Sequence, residues 1–191
     1  MRIGVLALQG DVREHINTLR NLDCDAIEVR KASGLNGLDG LILPGGESTT
    51  ISKLLDIFAL REPIIDFVKS GKAIFGTCAG MITLASKVMD SASGQQSLGV
   101  MEISVRRNAF GSQLDSFEGD VEFSGKKINV AFIRAPIVES VGEDVKVLAK
   151  LSDGTVVAVR QRNMLATSFH PELTGETFVH EFFLQMAKTQ N

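Results

Sequence analysis

Three short stretches constrain the fold of this chain: Ile3-Gly4-Val5-Leu6-Ala7-Leu8, Leu41-Ile42-Leu43 and Ala73-Ile74-Phe75 are apolar without alternation. A strand with one wet face alternates apolar and polar side chains, whereas a strand covered on both faces does not. Each run is closed within two residues by glycine or proline, so each reads as a short buried strand of a parallel sheet. The segments between them carry helical spacing. Val12, Ile16 and Leu19 follow Asp11, which is placed to cap them, and Ile51, Leu54, Leu55 and Phe58 form a second stripe. Pro63 stands where a third helix begins, with Ile64, Ile65, Phe67 and Val68 behind it. Ala26 to Arg30 supplies a further strand.

The second half changes character. Leu98 to Val105, Val121 to Phe123, Ile128 to Arg134, Val145 to Leu151, Val156 to Arg160 and Met164 to Phe169 read as successive strands, with turns at Ser124-Gly125 and Asp153-Gly154. A closing helix carries Phe178, Phe182, Phe183 and Met186 on one stripe. These patterns predict an α/β fold: a three-layer, open, mostly parallel sheet with helices on both faces, flavodoxin-like, with additional antiparallel strands in the second half. At 191 residues, without an internal repeat and with residues 90–97 as its most loop-like stretch, too short to link domains, the chain reads as a single domain over 1–191.

Composition removes several function classes. Twenty Lys and Arg against 23 Asp and Glu give a net charge of -3, so there is no excess of cations to neutralise a nucleic acid backbone. Tyr and Trp are absent, which leaves only Phe for base stacking. No apolar run approaches the roughly 20 residues of a membrane span. The apolar stretch after Met1-Arg2 turns polar at Gln9 without a cleavage site, and Lys188 to Asn191 carries no lipidation signal. Two cysteines, Cys24 and Cys78, make no disulfide framework. A cytoplasmic protein with free thiols, no nucleic acid and no membrane is the expectation.

The sharpest chemical signal is Gly76-Thr77-Cys78-Ala79-Gly80, between a buried strand and a helix. It has the form of a nucleophile elbow with cysteine as the nucleophile, G-x-C-x-G. The turn is so tight that only small neighbours fit. A helix start behind the sulfur favours thiolate, and the Ala79 N–H points at the space where an oxyanion would form. A cysteine nucleophile needs a base, and there are three histidines, His15, His170 and His180. His170 follows the last strand in Ser168-Phe169-His170-Pro171-Glu172, and Pro171 disfavours helix at His170. In an extended segment residues two apart share a side, so Glu172 reaches the imidazole and orients it. His180 is expected on the solvated side of the last helix, His15 partly buried or facing a partner, and Cys24 structural. Pro44-Gly45-Gly46-Glu47-Ser48 follows another strand on the same sheet edge, where main-chain N–H groups can complete an oxyanion hole and Ser48 can cap the next helix. The cysteines and histidines have no metal-ligand spacing, and no metal or cofactor is expected.

An elbow cysteine with a late His-Pro-Glu resembles class I, triad-type glutamine amidotransferases. Four strings narrow the resemblance to the PdxT/SNO glutaminase subunits of pyridoxal 5'-phosphate synthase: Leu8-Gln9-Gly10-Asp11-Val12-Arg13-Glu14-His15, Leu43 to Thr50 (LPGGESTT), Arg107-Asn108-Ala109-Phe110-Gly111, and Phe132-Ile133-Arg134-Ala135-Pro136. The resemblance runs from the first strand to the last helix. It implies hydrolysis of L-glutamine to L-glutamate and ammonia, with Cys78 as nucleophile, His170 as general acid and base, and Glu172 as its orienting carboxylate. It further implies glutamine contacts by Gly46, Glu47, Ser48, Arg107, Ile133 and Arg134, an oxyanion hole at Gly46 and Ala79, and a class I amidotransferase-like fold. The implied partner is a TIM-barrel synthase subunit in a ring-shaped hetero-oligomer, with the Gln9-Gly10 loop as a flexible element beside the site. Ser112, where a basic residue before Gln113 is expected, and Arg162-Asn163 depart from the family pattern, at positions read as surface. The rival readings are a glutaminase for another biosynthetic synthase, an elbow-cysteine stress protein of the DJ-1 type, and an inactive scaffold module.

Overall fold

A computed structural model describes residues 1–107 and 116–189. In chain order it contains β1 (Arg2–Leu6), α1 (Val12–Asn21), β2 (Asp25–Val29), β3 (Gly40–Leu43), α2 (Ser48–Ile57), α3 (Arg61–Lys69), β4 (Ala73–Thr77), α4 (Ala79–Leu84) and β5 (Ala85–Met89). There follow β6 (Met101–Arg106), β7 (Ser116–Phe123), β8 (Lys126–Ile133), β9 (Ile137–Val141), β10 (Lys146–Lys150), β11 (Val156–Gln161), β12 (Met164–Thr167) and α5 (Phe178–Lys188).

Strand order in the main sheet is β2-β1-β3-β4-β12-β11-β9-β6-β5, with β10 paired to β11. The first five of these strands are mutually parallel, and β11 and β9 run antiparallel to their neighbours. The predicted mixture of a parallel half and added antiparallel strands is what forms. Burial on both faces explains the unbroken apolar runs. In β3, Leu41 and Leu43 pack with Ile51, Leu55, Ile64, Phe67 and Met81 of α2, α3 and α4. Ile42 between them points the other way, toward Ile16 and Leu19 of α1 and Val179 and Phe183 of α5. Each strand residue thus removes apolar area from water on one face or the other, the dominant favourable term in folding.

Strand order reverses between β1 and β3, and the crevice outside such a reversal is where open α/β sheets place ligands. The carboxyl ends of β1, β3, β4 and β12 all open onto that edge. The β7–β8 hairpin, paired over eight residues from Ser116↔Ile133 to Phe123↔Lys126, lies on the α1/α5 face through Val121, Phe123, Ile128, Val130 and Phe132.

Several sequence expectations need correction. The strand expected over Leu98 to Val105 begins only at Met101, because Gly99 sits at φ +68° and Leu98 and Val100 donate to Thr83 and Leu84 carbonyls instead. The strand expected at Val121 to Phe123 starts earlier, at Ser116. β5 and β9 carried no signal that set them apart from their surroundings: each has a single buried residue, Ala85 and Val138. Asn163, read as a surface departure, is buried and donates through its side chain to the Val68 and Lys72 carbonyls. No helix among the described residues is long and apolar enough to cross a membrane.

Phe183 joins α5 to the sheet; it is fully buried and its ring lies 5.6 Å from that of Phe75. Phe183→Ala is expected to cost about 3–5 kcal/mol, read as a fall in the urea midpoint at unchanged slope.

Candidate active site

The elbow forms as the G-x-C-x-G spacing requires. β4 ends at Thr77, Cys78 takes φ +48° and ψ -102°, and α4 starts at Ala79. Positive φ at a non-glycine residue costs energy, and such strain persists only where the surroundings over-determine it. Here the surroundings are visible. Cys78 N–H donates to the Thr167 carbonyl at 2.8 Å, which pins the bend to β12. A side-chain carbon on Gly80 would collide with the Leu43 carbonyl of β3, and one on Gly76 would meet the Gly80 backbone. The helix therefore lies against the sheet at a separation that only glycine permits. α4 has just six residues, shorter than a helix-dipole argument for a thiolate at Cys78 wants.

An imidazole stands beside the sulfur and is hydrogen-bonded to it. His170 is buried, its backbone is extended at φ -110° and ψ 90°, and its N–H donates to the Ala131 carbonyl at 2.8 Å. Its Nδ1 lies 2.8 Å from Glu172 Oε1. The sequence argument for that contact assumed extended backbone through Glu172. The chain instead turns into a 3-10 segment at Pro171–Leu173, which still brings the carboxylate back onto the ring. With Nδ1 engaged, Nε2 is left for Cys78, whose Sγ also sits 3.8 Å from the Ile133 carbonyl. Burial alone would lower the His170 pKa. Hydrogen bonds to Asp11, Cys78 and Glu172, with the Glu172 charge, outweigh burial and raise it. Burial pushes the Glu172 carboxyl up, and the hydrogen bond to His170 and its charge pull it back.

Asp11 is a participant that sequence reasoning missed. Expected to cap α1, it makes no side-chain cap bond; its Oδ2 lies 3.3 Å from His170 Nδ1. Nothing local signals this role, because the contact joins the end of β1 to the loop after β12. Asp11, His170 and Glu172 offer polar atoms within 4.8 Å of one another, and the short His170–Glu172 bond makes this a hydrogen-bonded acid–base cluster.

A crevice of about 260 Å³ opens beside the sulfur. Its lining includes every other sequence-predicted site residue: Gly46, Glu47, Ser48, Ala79, Arg107, Ile133 and Arg134. Arg134, like Cys78, is held at positive φ, +43°. Asn108, Ala109, Phe110, Gly111, Ser112 and Gln113 lie outside the described residues. The glycine loop after β3 packs too closely for side chains, since a carbon on Gly45 would collide with the His170 ring. The Gln9-Gly10 segment is tied to it: Gln9 Oε1 accepts from Glu47 N–H at 2.7 Å, and Asp11 N–H donates to the Gly45 carbonyl at 3.1 Å.

Glu47, rather than Ser48, caps α2. Its carboxylate accepts from the Thr49 and Thr50 amides at 3.1 and 2.7 Å and from both hydroxyls. Partial burial opposes the charge, but these bonds outweigh it and pull the carboxyl down to about 2. Ser48 Oγ accepts instead from Gln95 Nε2 at 3.0 Å, and Gln95 Oε1 takes Arg107 Nη1 at 2.7 Å. Gln95, within the loop expected over 90–97, thereby links two predicted binding residues.

His180, expected in solvent, is 0% exposed, as is His15. Cys24 is buried, and burial raises its thiol pKa, in keeping with a structural role.

Residues 5–189 match the SNO glutamine amidotransferase family. The chain is 57% identical over 192 residues to a protein of Dehalococcoides mccartyi (strain CBDB1) named pyridoxal 5'-phosphate synthase subunit PdxT, covering 99% of this chain and 98% of that one. It is 50% identical to the protein of the same name from Rhodococcus opacus, with 97% and 96% covered. A crystal structure of a glutamine amidotransferase superposes with a TM-score of 0.92 at 49% identity, over 97% of this chain and 98% of that one. A putative GMP synthase component from Thermoplasma acidophilum shares the fold at 21% identity, with a TM-score of 0.71, 99% of this chain and 94% of that one covered.

The depressed Glu47 carboxyl has a pH signature. A carboxyl whose folded pKa lies below its unfolded value stabilises the fold above the unfolded value, near 4.5, and loses that contribution as pH falls toward about 2. Glu47→Ala is expected to cost about 1 kcal/mol at neutral pH, as a lost N-cap does. It should also flatten this acid-range decline, measured by urea unfolding from pH 6 to pH 2.

Proposed function

The chain belongs to the SNO glutamine amidotransferase family, and from that premise we propose that it is the glutaminase subunit of a pyridoxal 5'-phosphate synthase, working through a Cys78–His170–Glu172 triad. One observation carries the reading: a strained cysteine, a buried histidine and a buried glutamate from two distant segments meet at the carboxyl edge of the parallel sheet, beside a crevice.

The chemistry follows from the geometry. His170 takes the Cys78 proton, and the thiolate attacks the side-chain amide carbon of L-glutamine. The carbonyl oxygen becomes an oxyanion, held by the main-chain N–H groups of Gly46 and Ala79. His170, now protonated and held in orientation by Glu172, passes its proton to the amide nitrogen as the carbon–nitrogen bond breaks. Ammonia leaves and a γ-glutamyl thioester remains on Cys78. His170 then takes a proton from water, whose oxygen attacks the thioester. Glutamate departs, and the proton returns to sulfur. Arg107 is suited to the substrate α-carboxylate, since a guanidinium donates two parallel hydrogen bonds to such a group. Gly46, Glu47, Ser48, Ile133 and Arg134 line the same crevice and contact the rest of the substrate.

Ammonia released into neutral water is mostly protonated and no longer nucleophilic. The reaction therefore calls for a docked partner that takes it directly: a TIM-barrel synthase subunit, assembled in a ring, where ammonia is used to build pyridoxal 5'-phosphate. Glutaminase chemistry needs no metal or organic cofactor at this site. The unbridged thiols of Cys24 and Cys78 suit a cytoplasmic enzyme acting as one glutaminase domain.

Cys78→Ala is expected to lower glutamate release, measured with the synthase subunit present, by at least about a thousandfold. A glutamine-analogue electrophile should add to Cys78, seen by peptide mass spectrometry. Labelling at Cys24 alone, or none with the synthase present, overturns the reading. Gln95→Ala, which removes the acceptor of Arg107 Nη1, is expected to raise KM about tenfold with a much smaller change in kcat, the pattern of lost substrate binding.

A further inference from the structure

Behind the triad lies a pair of histidines with no part in the reaction steps. His15 on α1 and His180 on α5 are both 0% exposed, with His15 Nδ1 2.9 Å from His180 Nε2. The other nitrogen of His15, Nε2, lies 3.2 Å from Thr77 Oγ1 and 3.5 Å from Glu172 Oε1, the oxygen that holds His170. Thr77 Oγ1 in turn accepts the Gly45 N–H at 2.9 Å. The buried line therefore runs His180–His15–Glu172–His170–Cys78.

We propose that His15, its tautomer set by His180, is a positioning residue that holds Glu172 ionised and aimed at His170. The tautomer follows from which atoms would be stranded. If His15 carried its proton on Nδ1, its Nε2 lone pair would face the Glu172 carboxylate in a dry interior, and His180 would keep a buried Nδ1–H with no acceptor. In the opposite arrangement His180 Nε2–H donates to His15 Nδ1, and His15 Nε2–H donates toward Glu172 and Thr77. Of the ring nitrogens of the pair, His180 Nδ1 is the one without a partner in either arrangement, and here it is left as a lone pair rather than an N–H. A buried orphan acceptor is tolerated more readily than a buried orphan N–H. Glu172 Oε2 also lacks a partner, so support for the carboxylate converges on Oε1. Both rings stay neutral, because burial lowers His15 well below its usual value and His180 to about 3. Among the described residues, the groups facing this pair are Thr77 and the edge-on ring of Phe75 from β4, Glu172 and His170 from the segment after β12, and Asp11 beyond His170 from the loop after β1.

The inference rests on the glutaminase reading only for its kinetic arm. The pH profile of Cys78 alkylation by iodoacetamide, resolved from Cys24 by peptide mapping, reports the sulfur–imidazole pair whatever the substrate. Without the His15 donor, Glu172 ionises less readily and supports imidazolium at His170 less well. His15→Phe is therefore expected to move the rising limb about one unit to higher pH. Measured with the synthase subunit, kcat should fall about tenfold to a hundredfold while KM stays within about threefold. His15→Gln, which returns an N–H near the Nε2 position, is expected to move both back toward wild type. Nitrogen-15 NMR of the wild-type protein is a second test that needs no variant to fold: with three histidines to assign, His15 should be a neutral Nε2–H tautomer. A His15→Phe profile superimposed on wild type, a His15→Gln variant as impaired as His15→Phe, or an Nδ1–H tautomer at His15 overturns the inference. A wild type that releases no glutamate with the synthase present would instead sink the glutaminase reading, with the alkylation and NMR results still judging the histidine pair.

Discussion

The site depends on one close approach: α4 lies against β3 with nothing but hydrogen between Gly80 and the Leu43 carbonyl. That contact decides how sharply the chain turns after β4, and so decides the positive φ of Cys78. An L-residue bearing a side chain avoids such backbone unless packing leaves no alternative. The cost is met by a sheet buried on both sides, in which β4 is paired with β3 as far as Gly76 and with β12 as far as Thr77, up to the turn. A second approach of the same kind, Gly45 against the His170 ring, seats the imidazole. Glycines thus set the distances between elements, and the elements set the distances between reacting groups.

Electrostatics then acts on a geometry already in place. His170 is buried, which by itself would keep the ring neutral, yet two carboxylates face its Nδ1. The acidic surroundings win, and the His170 pKa rises above its usual value. Glu172 sits in the reverse position: burial raises its carboxyl pKa, and the hydrogen bond to His170 and the charge there offset only part of that rise. Each group therefore favours the charged form of the other. The neutral pair His15–His180 lies on the far side of the same carboxylate, so the polar line reaches through the sheet edge to the last helix.

How much of this was legible depended on the range over which each signal acts. Unbroken apolar runs reported a doubly covered parallel sheet, because burial on both faces acts on every residue of a strand. Gly76 and Gly80 reported the elbow, because the clash they avoid is local. The late His-Pro-Glu was legible too, although the contact arises from a 3-10 turn rather than the extended backbone that the two-residue spacing suggests. Asp11 was misread as a helix cap and His180 as a solvated residue of an amphipathic helix, while Gln95 does lie in the loop expected over 90–97 but is bonded into the site. All three owe their roles to partners far along the chain: Asp11 to His170, Gln95 to Ser48 and Arg107, His180 to His15.

The amino-acid sequence determined the alternation of strand and helix, the bend that presents a cysteine, and the pairing of a histidine with a glutamate two residues on, because each arises within a few residues. Which strands lie side by side, which carboxylates share the imidazole, and that two more histidines stand behind them were decided only by tertiary packing. The physical reason is that a charge or hydrogen bond at the sheet edge depends on distances of about 3 Å between groups separated by many tens of residues, and only the folded core holds such distances.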